Sequence, residues 1–286
     1  YFARLMYNYK SKYYVQGNVR RDGSSRFAPD CRWGTFLSAS AGWVFTEEKF
    51  MEGARKVLDH GKLRLSYGEL GNERIKGYYP YQAVLANNHT MGYIGSTLTG
   101  LSGYAQAAAI VTDITWETTY MTDIGFDATL WNRLTITADY YHKKTDGILM
   151  QLDIPSSIGL GAPYQNAGVV TNDGWEVSVG YNNSWGNFNF GVQANLSDVV
   201  NEIVDMKGTY GTSGVIRNQE GSSINSLYLL KCLGVVQTQE QADWMNEKCP
   251  QYNQITRPGD LVYEDYNHDN KIDDSDKQIV GSLIPR

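Results

Sequence analysis

The stretch from Gly174 to Asp198 reads GWEVSVGYNNSWGNFNFGVQANLSD, two strict two-residue alternations joined by a short polar turn. Trp175, Val177, Val179 and Tyr181 fall on one face of the first arm, with Glu176, Ser178, Gly180 and Asn182 on the other. After Trp185-Gly186-Asn187 the period resumes, with Phe188, Phe190, Val192, Ala194 and Leu196 set against Asn189, Gly191, Gln193 and Asn195. Successive side chains of a strand point to opposite faces, so this is a hairpin with one apolar and one polar wall. Each arm is about ten residues, the length of a tilted strand that crosses a bilayer. A soluble sandwich produces the same alternation, so the hairpin alone does not decide between them.

Repetition along the chain does. Leu37, Ala39, Ala41, Trp43 and Phe45 alternate with small polar residues, as do Leu63, Leu65 and Tyr67 with Arg64 and Ser66. Ile124, Phe126, Ala128 and Leu130 face away from Asp123, Gly125, Asp127 and Thr129. Beyond Asn132-Arg133, Leu134, Ile136, Ala138 and Tyr140 oppose Thr135, Thr137, Asp139 and Tyr141. Near the start, Tyr13, Val15 and Val19 oppose Tyr14, Gln16, Asn18 and Arg20. Short turns at 10–12, 132–133 and 185–187 alternate with long Gly/Ser/Asn-rich segments at 71–117 and 144–173, the asymmetry of a barrel with short periplasmic turns and long extracellular loops. Aromatic rings with a polar edge settle at headgroup level, and Tyr7, Tyr9, Tyr13, Trp131 and Trp185 stand at strand ends accordingly.

The expected fold is therefore all-β, an antiparallel transmembrane β-barrel in contact with outer-membrane lipid. Eight strands with such long loops suit a part of a larger barrel, with segments expected before and after, and a ninth strand is expected at Ser226 to Val236. Residues 1–198 hold the strands and their loops, and 199–286 form an extracellular loop region with a hairpin and an acidic loop. Mean hydropathy of −0.42 fits apolar faces diluted by lumen and loops, and no window approaches the ~20 apolar residues of a membrane helix. A net charge of −6 leaves no basic footprint for nucleic acid. Cys31, Cys232 and Cys249 have no metal-ligand spacing; Cys232 and Cys249 are either bridged or free.

Catalytic motifs are missing. His60, His89, His142 and His268 show no metalloprotease spacing and no nucleophile pattern, so no enzyme is expected. Asp127 and Asp139 share the polar wall, where a carboxylate pairs with a wall arginine. Arg20, Arg21, Arg26 and Arg32 brace their loop against carboxylates and carbonyls. Tyr78, Tyr79, Tyr81, Tyr93 and Tyr104 either stack on sugar rings or pack their own loop. Asp265, Asn267, Asp269, Lys271 (through its carbonyl), Asp273 and Asp276 occupy positions 1, 3, 5, 7, 9 and 12 of a calcium loop. Position 6 is Asn270 in place of Gly, and position 12 is the shorter Asp. A structural Ca2+ ion is the expected cofactor, against the alternative of a solvated acidic turn.

The runs VRRDGSSRFAPDCRWGTFLSASAGWVFTEEKFM (Val19 to Met51), KLRLSYGELGN (Lys62 to Asn72) and WETTYMTDIGFDATLWNRLTITADYYHKKTDGIL (Trp116 to Leu149) resemble the SusC/RagA type of TonB-dependent outer-membrane transporter. NAGVVTNDGWEVSV (Asn166 to Val179) and PGDLVYEDYNHDNKIDDSDKQIVGSLIP (Pro258 to Pro285) continue the resemblance in family order. It implies a 22-strand-type barrel with an N-terminal plug, importing oligosaccharides or peptides with energy from the TonB complex. It also implies a SusD-like surface lipoprotein as partner at the long loops. The alternative is a passive structural or adhesive surface β-protein stabilised by calcium.

Overall fold

The computed structural model describes residues 1–75, 78–94, 99–106, 108–152, 154–252 and 254–284, the side chains of 88–94, 99–102 and 156 excepted. It divides into two units, Tyr1–Thr209 and Tyr210–Pro285.

The first unit is one antiparallel sheet of eight strands with a small hairpin. Its wall strands are β1 (Phe2–Tyr9), β2 (Tyr13–Gly23), β3 (Trp33–Trp43), β4 (Leu58–Asn72), β7 (Glu117–Leu130), β8 (Leu134–Gln151), β9 (Tyr164–Trp185) and β10 (Phe188–Asp205), in the order β1-β2-β3-β4-β7-β8-β9-β10. Between β4 and β7 the chain makes the hairpin β5 (Leu85–Ile94) and β6 (Thr99–Gln106).

Register aligns the alternating apolar residues of neighbouring strands on one face. One cross-strand row runs Val15, Ala41, Leu65, Ile124, Tyr140, Trp175; the next runs Tyr13, Trp43, Leu63, Phe126, Ala138, Val177, Leu196. Leu65, Ile124, Val179, Val192 and Leu196 are all exposed on this face. Among the described residues of this unit no second sheet covers it, so it is the surface a bilayer must cover, because water does not tolerate so large an aliphatic face. The opposite face carries Asn18, Ser38, Arg64, Asp123, Asp139, Glu176 and Gln193. Gln193 donates to the Ser178 hydroxyl (3.2 Å) and to Asn195 (3.3 Å), as a wet wall requires.

The turn end of the sheet is tight. Gly186, at φ 57°, opens the two-residue connection in which Trp185 pairs with Phe188, and Trp131 and Asn132 also take left-handed φ of 51° and 50°. The connection from β3 to β4 is longer, with three short 3-10 turns, yet it folds back onto the wall. Buried Thr46 both donates to the Gly61 carbonyl (3.4 Å) and accepts from its N–H (3.1 Å), while Glu48 takes the Tyr13 hydroxyl (2.6 Å) and the Lys12 ammonium (3.3 Å).

The other end departs from expectation. Residues 144–173 are largely strand, since β8 continues to Gln151 and β9 begins at Tyr164, leaving 152–163 as the connection. Polar Lys143, Lys144, Thr171 and Asn172 go on exchanging ladder bonds after the apolar alternation has stopped. The row beyond Tyr140 and Trp175 is the His142–Asp173 hydrogen bond (2.6 Å), where polar residues replace the apolar row. Residues 71–117 likewise contain β5 and β6. Above the wall, Phe27, Ile75, Ile114 and Leu149 form a buried cluster with Cys31, Val111, Trp116 and Tyr164. Arg26 ties this rim together by donating to the carbonyls of Glu73 (3.4 Å) and Ile75 (3.2 Å), and the Trp116 indole donates to the Arg32 carbonyl (3.2 Å). Arg20 pairs with Asp22 at 2.6 Å.

The first unit does not end at 198, because Val199 to Asp205 still pair with β9. The second unit contains β11 (Gly211–Ser213), β12 (Ile216–Asn218), β13 (Ser226–Leu229), β14 (Cys232–Val235), α1 (Gln239–Lys248), β15 (Leu261–Tyr263) and β16 (Gln278–Ser282). The single strand expected at Ser226–Val236 is broken at Leu230-Lys231. Its halves enter different sheets, β11-β12-β13-β16 and β14-β15. Helix α1 was not legible in the alternation; Thr238 caps it by accepting the Gln241 N–H at 3.2 Å, and Ala242 and Met245 pack on Val236 and Val262.

Two outcomes follow for stability. In the full-length protein refolded in vesicles, Val179→Arg should cost ~2–4 kcal/mol by urea titration, whereas Gln193→Arg on the wet wall should shift the midpoint little. Phe27→Ala should remove about 3–5 kcal/mol from the rim cluster and show as protease cleavage near 24–32 and 73–116, with the wall strands still protected.

Candidate functional site

On the lumenal wall, register assembles a polar site from residues far apart in sequence. Arg64 on β4 donates through Nε to Asp127 Oδ2 (2.7 Å) and through Nη2 to Asp127 Oδ1 (3.1 Å), a two-point guanidinium–carboxylate contact. Its Nη2 also lies 2.7 Å from Asp139 Oδ1 on β8, an ion pair without hydrogen-bond alignment. Gly125 makes this second reach feasible. It pairs with Arg64 on one side and Asp139 on the other, so the guanidinium passes over a position with no side chain. A Cβ there would sit 2.6 Å from Nη2. The Asp127 and Asp139 carboxylates thus meet the wall arginine expected of them. Arg64 itself was readable only as a polar-face residue, because its partner lies 63 residues away and only register reveals it.

Beside this pair a concavity of about 290 Å³ is lined by Tyr14, Gln16, Ser40, Lys62, Ser66 and Asp123, among others. The Lys62 ammonium sits 5.3 Å from the Tyr14 ring centre. Hydrogen-bonding groups of both charges on such a wall can hold or pass a polar solute.

At the rim, the tyrosines do not form one platform. Tyr79 and Tyr81 meet edge to face at 6.3 Å, Tyr78 lies under the Arg26 guanidinium at 5.8 Å, and Tyr104 is exposed on β6. The side chain of Tyr93 lies outside the described residues.

In the second unit the acidic loop is held by its own backbone. Asp265 accepts the N–H groups of Asp269 (3.2 Å) and Asn270 (2.9 Å), Asn267 that of Asp269 (2.9 Å), and Asp269 that of Lys271 (3.0 Å). Asn270 takes φ 62°, the left-handed turn that position 6 of a calcium loop requires. Asp276 is fully buried, with Oδ1 accepting from Tyr266 (3.1 Å) and Asn267 (3.3 Å) and Oδ2 from Asp273 (2.9 Å). The Lys271 ammonium lies 2.9 Å from Asp273 and 4.0 Å from Asp269.

The Ser275 hydroxyl and amide, then Lys271, hold Asp273 far below the usual carboxylate range. The stabilisation it provides is complete above that usual range and is lost only as the pH falls well below it. Burial, then the hydrogen bond to Asp274, pushes the Tyr252 phenol up to about 12. Among the described residues, no three His, Cys, Asp or Glu side chains are arranged to hold a metal. The three cysteines are unpaired, and burial followed by the charge of Asp265 raises the Cys249 thiol.

A family model described as TonB dependent receptor-like, beta-barrel matches residues 1–226. TonB-dependent receptor P26 of Formosa agariphila is 32% identical over 296 residues, covering 100% of the chain and 29% of its own length. TonB-dependent receptor SusC of Bacteroides thetaiotaomicron is 29% identical over 299 residues, covering 98% of the chain and 28% of its own length. The solved RagAB peptide transporter superposes with a TM-score of 0.70 at 26% identity, over 82% of the chain and 26% of that structure's chain. The chain therefore spans under a third of the length of these relatives. A polar wall braced by Arg64, an apolar outer face and a match across the whole eight-strand sheet agree on one assignment: the chain belongs to the TonB-dependent receptor-like β-barrel family, proteins of the outer membrane.

Proposed function

We propose that this chain forms part of the wall and rim of an outer-membrane importer that takes up oligomeric nutrients, oligopeptides or oligosaccharides, with energy from the TonB complex. The carrying observation is the one-sided wall: an exposed apolar face toward lipid and, behind it, a lumenal face whose charges are paired through Arg64, Asp127 and Asp139. A wall of that kind separates lipid from a polar passage and performs no chemistry of its own. The SusD-like lipoprotein is the proposed partner at the rim, where the cluster around Phe27 and Trp116 gives the long connections a fixed shape. The name of the similar RagAB peptide transporter supports peptides among these oligomers.

In cells expressing the full-length protein, uptake of labelled oligopeptides or oligosaccharides should fall to background when either its gene or TonB is removed. The lipoprotein should co-purify in mild detergent. Uptake that persists without TonB would favour the passive surface protein.

Calcium at Asp265, Asn267, Asp269, Lys271, Asp273 and Asp276 is proposed as a structural addition. The left-handed Asn270 and the inward-turned Asp265 and Asp269 carboxylates support it. The ion would displace the Lys271 ammonium from Asp273. Calcium titration of the full-length protein should slow proteolysis at 265–276 in the wild type and have no effect on Asp269→Ala; equal protection of both would reduce the segment to an acidic turn.

A further inference from the structure

The second unit holds an arginine whose environment neither the barrel nor the acidic loop accounts for. Arg217 is the middle residue of β12 and pairs with Thr212 on β11 and with Ser226 on β13. The two positions diagonal to it carry tyrosines: Tyr210 two residues before Thr212, and Tyr228 two residues after Ser226. The guanidinium carbon lies 4.1 Å from the Tyr210 ring centre and 4.5 Å from that of Tyr228. Two aromatic rings, one just before β11 and one on β13, therefore lie within cation–π reach of the group and restrict its movement. Nε is shielded from solvent and takes no hydrogen bond, so the remaining outlet for the charge is the terminal pair of nitrogens. Among the described residues Arg217 has no carboxylate partner, whereas Arg20, Arg55 and Arg64 each have one.

A guanidinium held by two aromatic rings, with Nε shielded and no counter-ion, is preorganised for a planar anion of matching width. We infer that Arg217, beside Tyr210 and Tyr228, is a recognition site for a carboxylate group, received end-on by the two terminal nitrogens in a fork-to-fork pair. The flanking rings add apolar contact for whatever carries the carboxylate, a peptide terminus or an acidic sugar ring. The inference rests on the importer reading for its choice of carriers, but the site is defined by the guanidinium and its two rings alone and is read by binding, without uptake.

The test is calorimetric titration of the purified full-length protein in detergent with four probes: a tripeptide, its C-terminal amide, a methyl glucuronide and a methyl glucoside. At least one acid should bind about tenfold or more tightly than its neutral counterpart, and Arg217→Gln should erase that preference while leaving the neutral probe's affinity unchanged. A preference for the tripeptide acid assigns a peptide terminus and a preference for the glucuronide assigns an acidic sugar; either supports the site. Equal affinity for both members of both pairs overturns it, as does an acid preference that survives Arg217→Gln. If that variant is not recovered folded, Arg217→Lys keeps the charge and loses the fork. A preference retained in full by Arg217→Lys overturns the geometry proposed here, and its loss supports it. Failure of uptake in cells with the acid preference intact would count against the importer and not against this site.

Discussion

Everything in the first unit depends on the need of each backbone N–H and C=O in a membrane to find a partner on a neighbouring strand. Hydrocarbon offers none, and an unpaired group there costs several kcal/mol. The ladder from β1 to β10 answers that need across eight strands, and its register then fixes which side chain faces lipid and which faces water. The apolar rows and the polar rows are two readings of one hydrogen-bond pattern. A one-residue shift of β4 against β3 and β7 would place Arg64 in lipid and Leu65 in the lumen.

Within that frame, the lumenal ion pair shows how packing follows register. Arg64 reaches two carboxylates because Gly125 leaves the intervening position empty, so ion pairing across three strands depends on the absence of a side chain on the middle one. The rim is organised differently. There, water is available to satisfy the backbone, and Phe27, Ile75, Ile114 and Leu149 bury apolar surface as a soluble domain would.

The residues that could be read directly were those under the lipid constraint. Trp175 to Leu196 and Ile124 to Tyr140 alternate because hydrocarbon selects every second residue, and those strands lie where the alternation placed them. Lys143 to Asp146 and Thr171 to Asp173 are just as firmly paired, yet nothing selects their outward residues for apolarity, so they read as loop. Helix α1 is a single capped segment of ten residues with only Ala242 and Met245 buried, too few to set a period. Arg64 announced its face but not its partner, since contact order, not local sequence, joins it to Asp127. The acidic loop showed its spacing at once. The use of its carboxylates by backbone amides, and of Lys271 as an internal cation, belongs to the folded geometry.

The boundary between Tyr140 and His142 on β8, mirrored by Trp175 and Asp173 on β9, splits single strands into two regimes of change. Below it, each outward residue is screened by hydrocarbon and each inward one by the solute path. Above it, for roughly another 30 Å of strand at about 3.4 Å per residue, Leu149 and Tyr164 pack into the rim cluster, and water meets the exposed side chains between them and the boundary. A lineage can therefore rewrite the exposed positions of this extension without retesting insertion, so long as Leu149 and Tyr164 keep their places in the rim cluster.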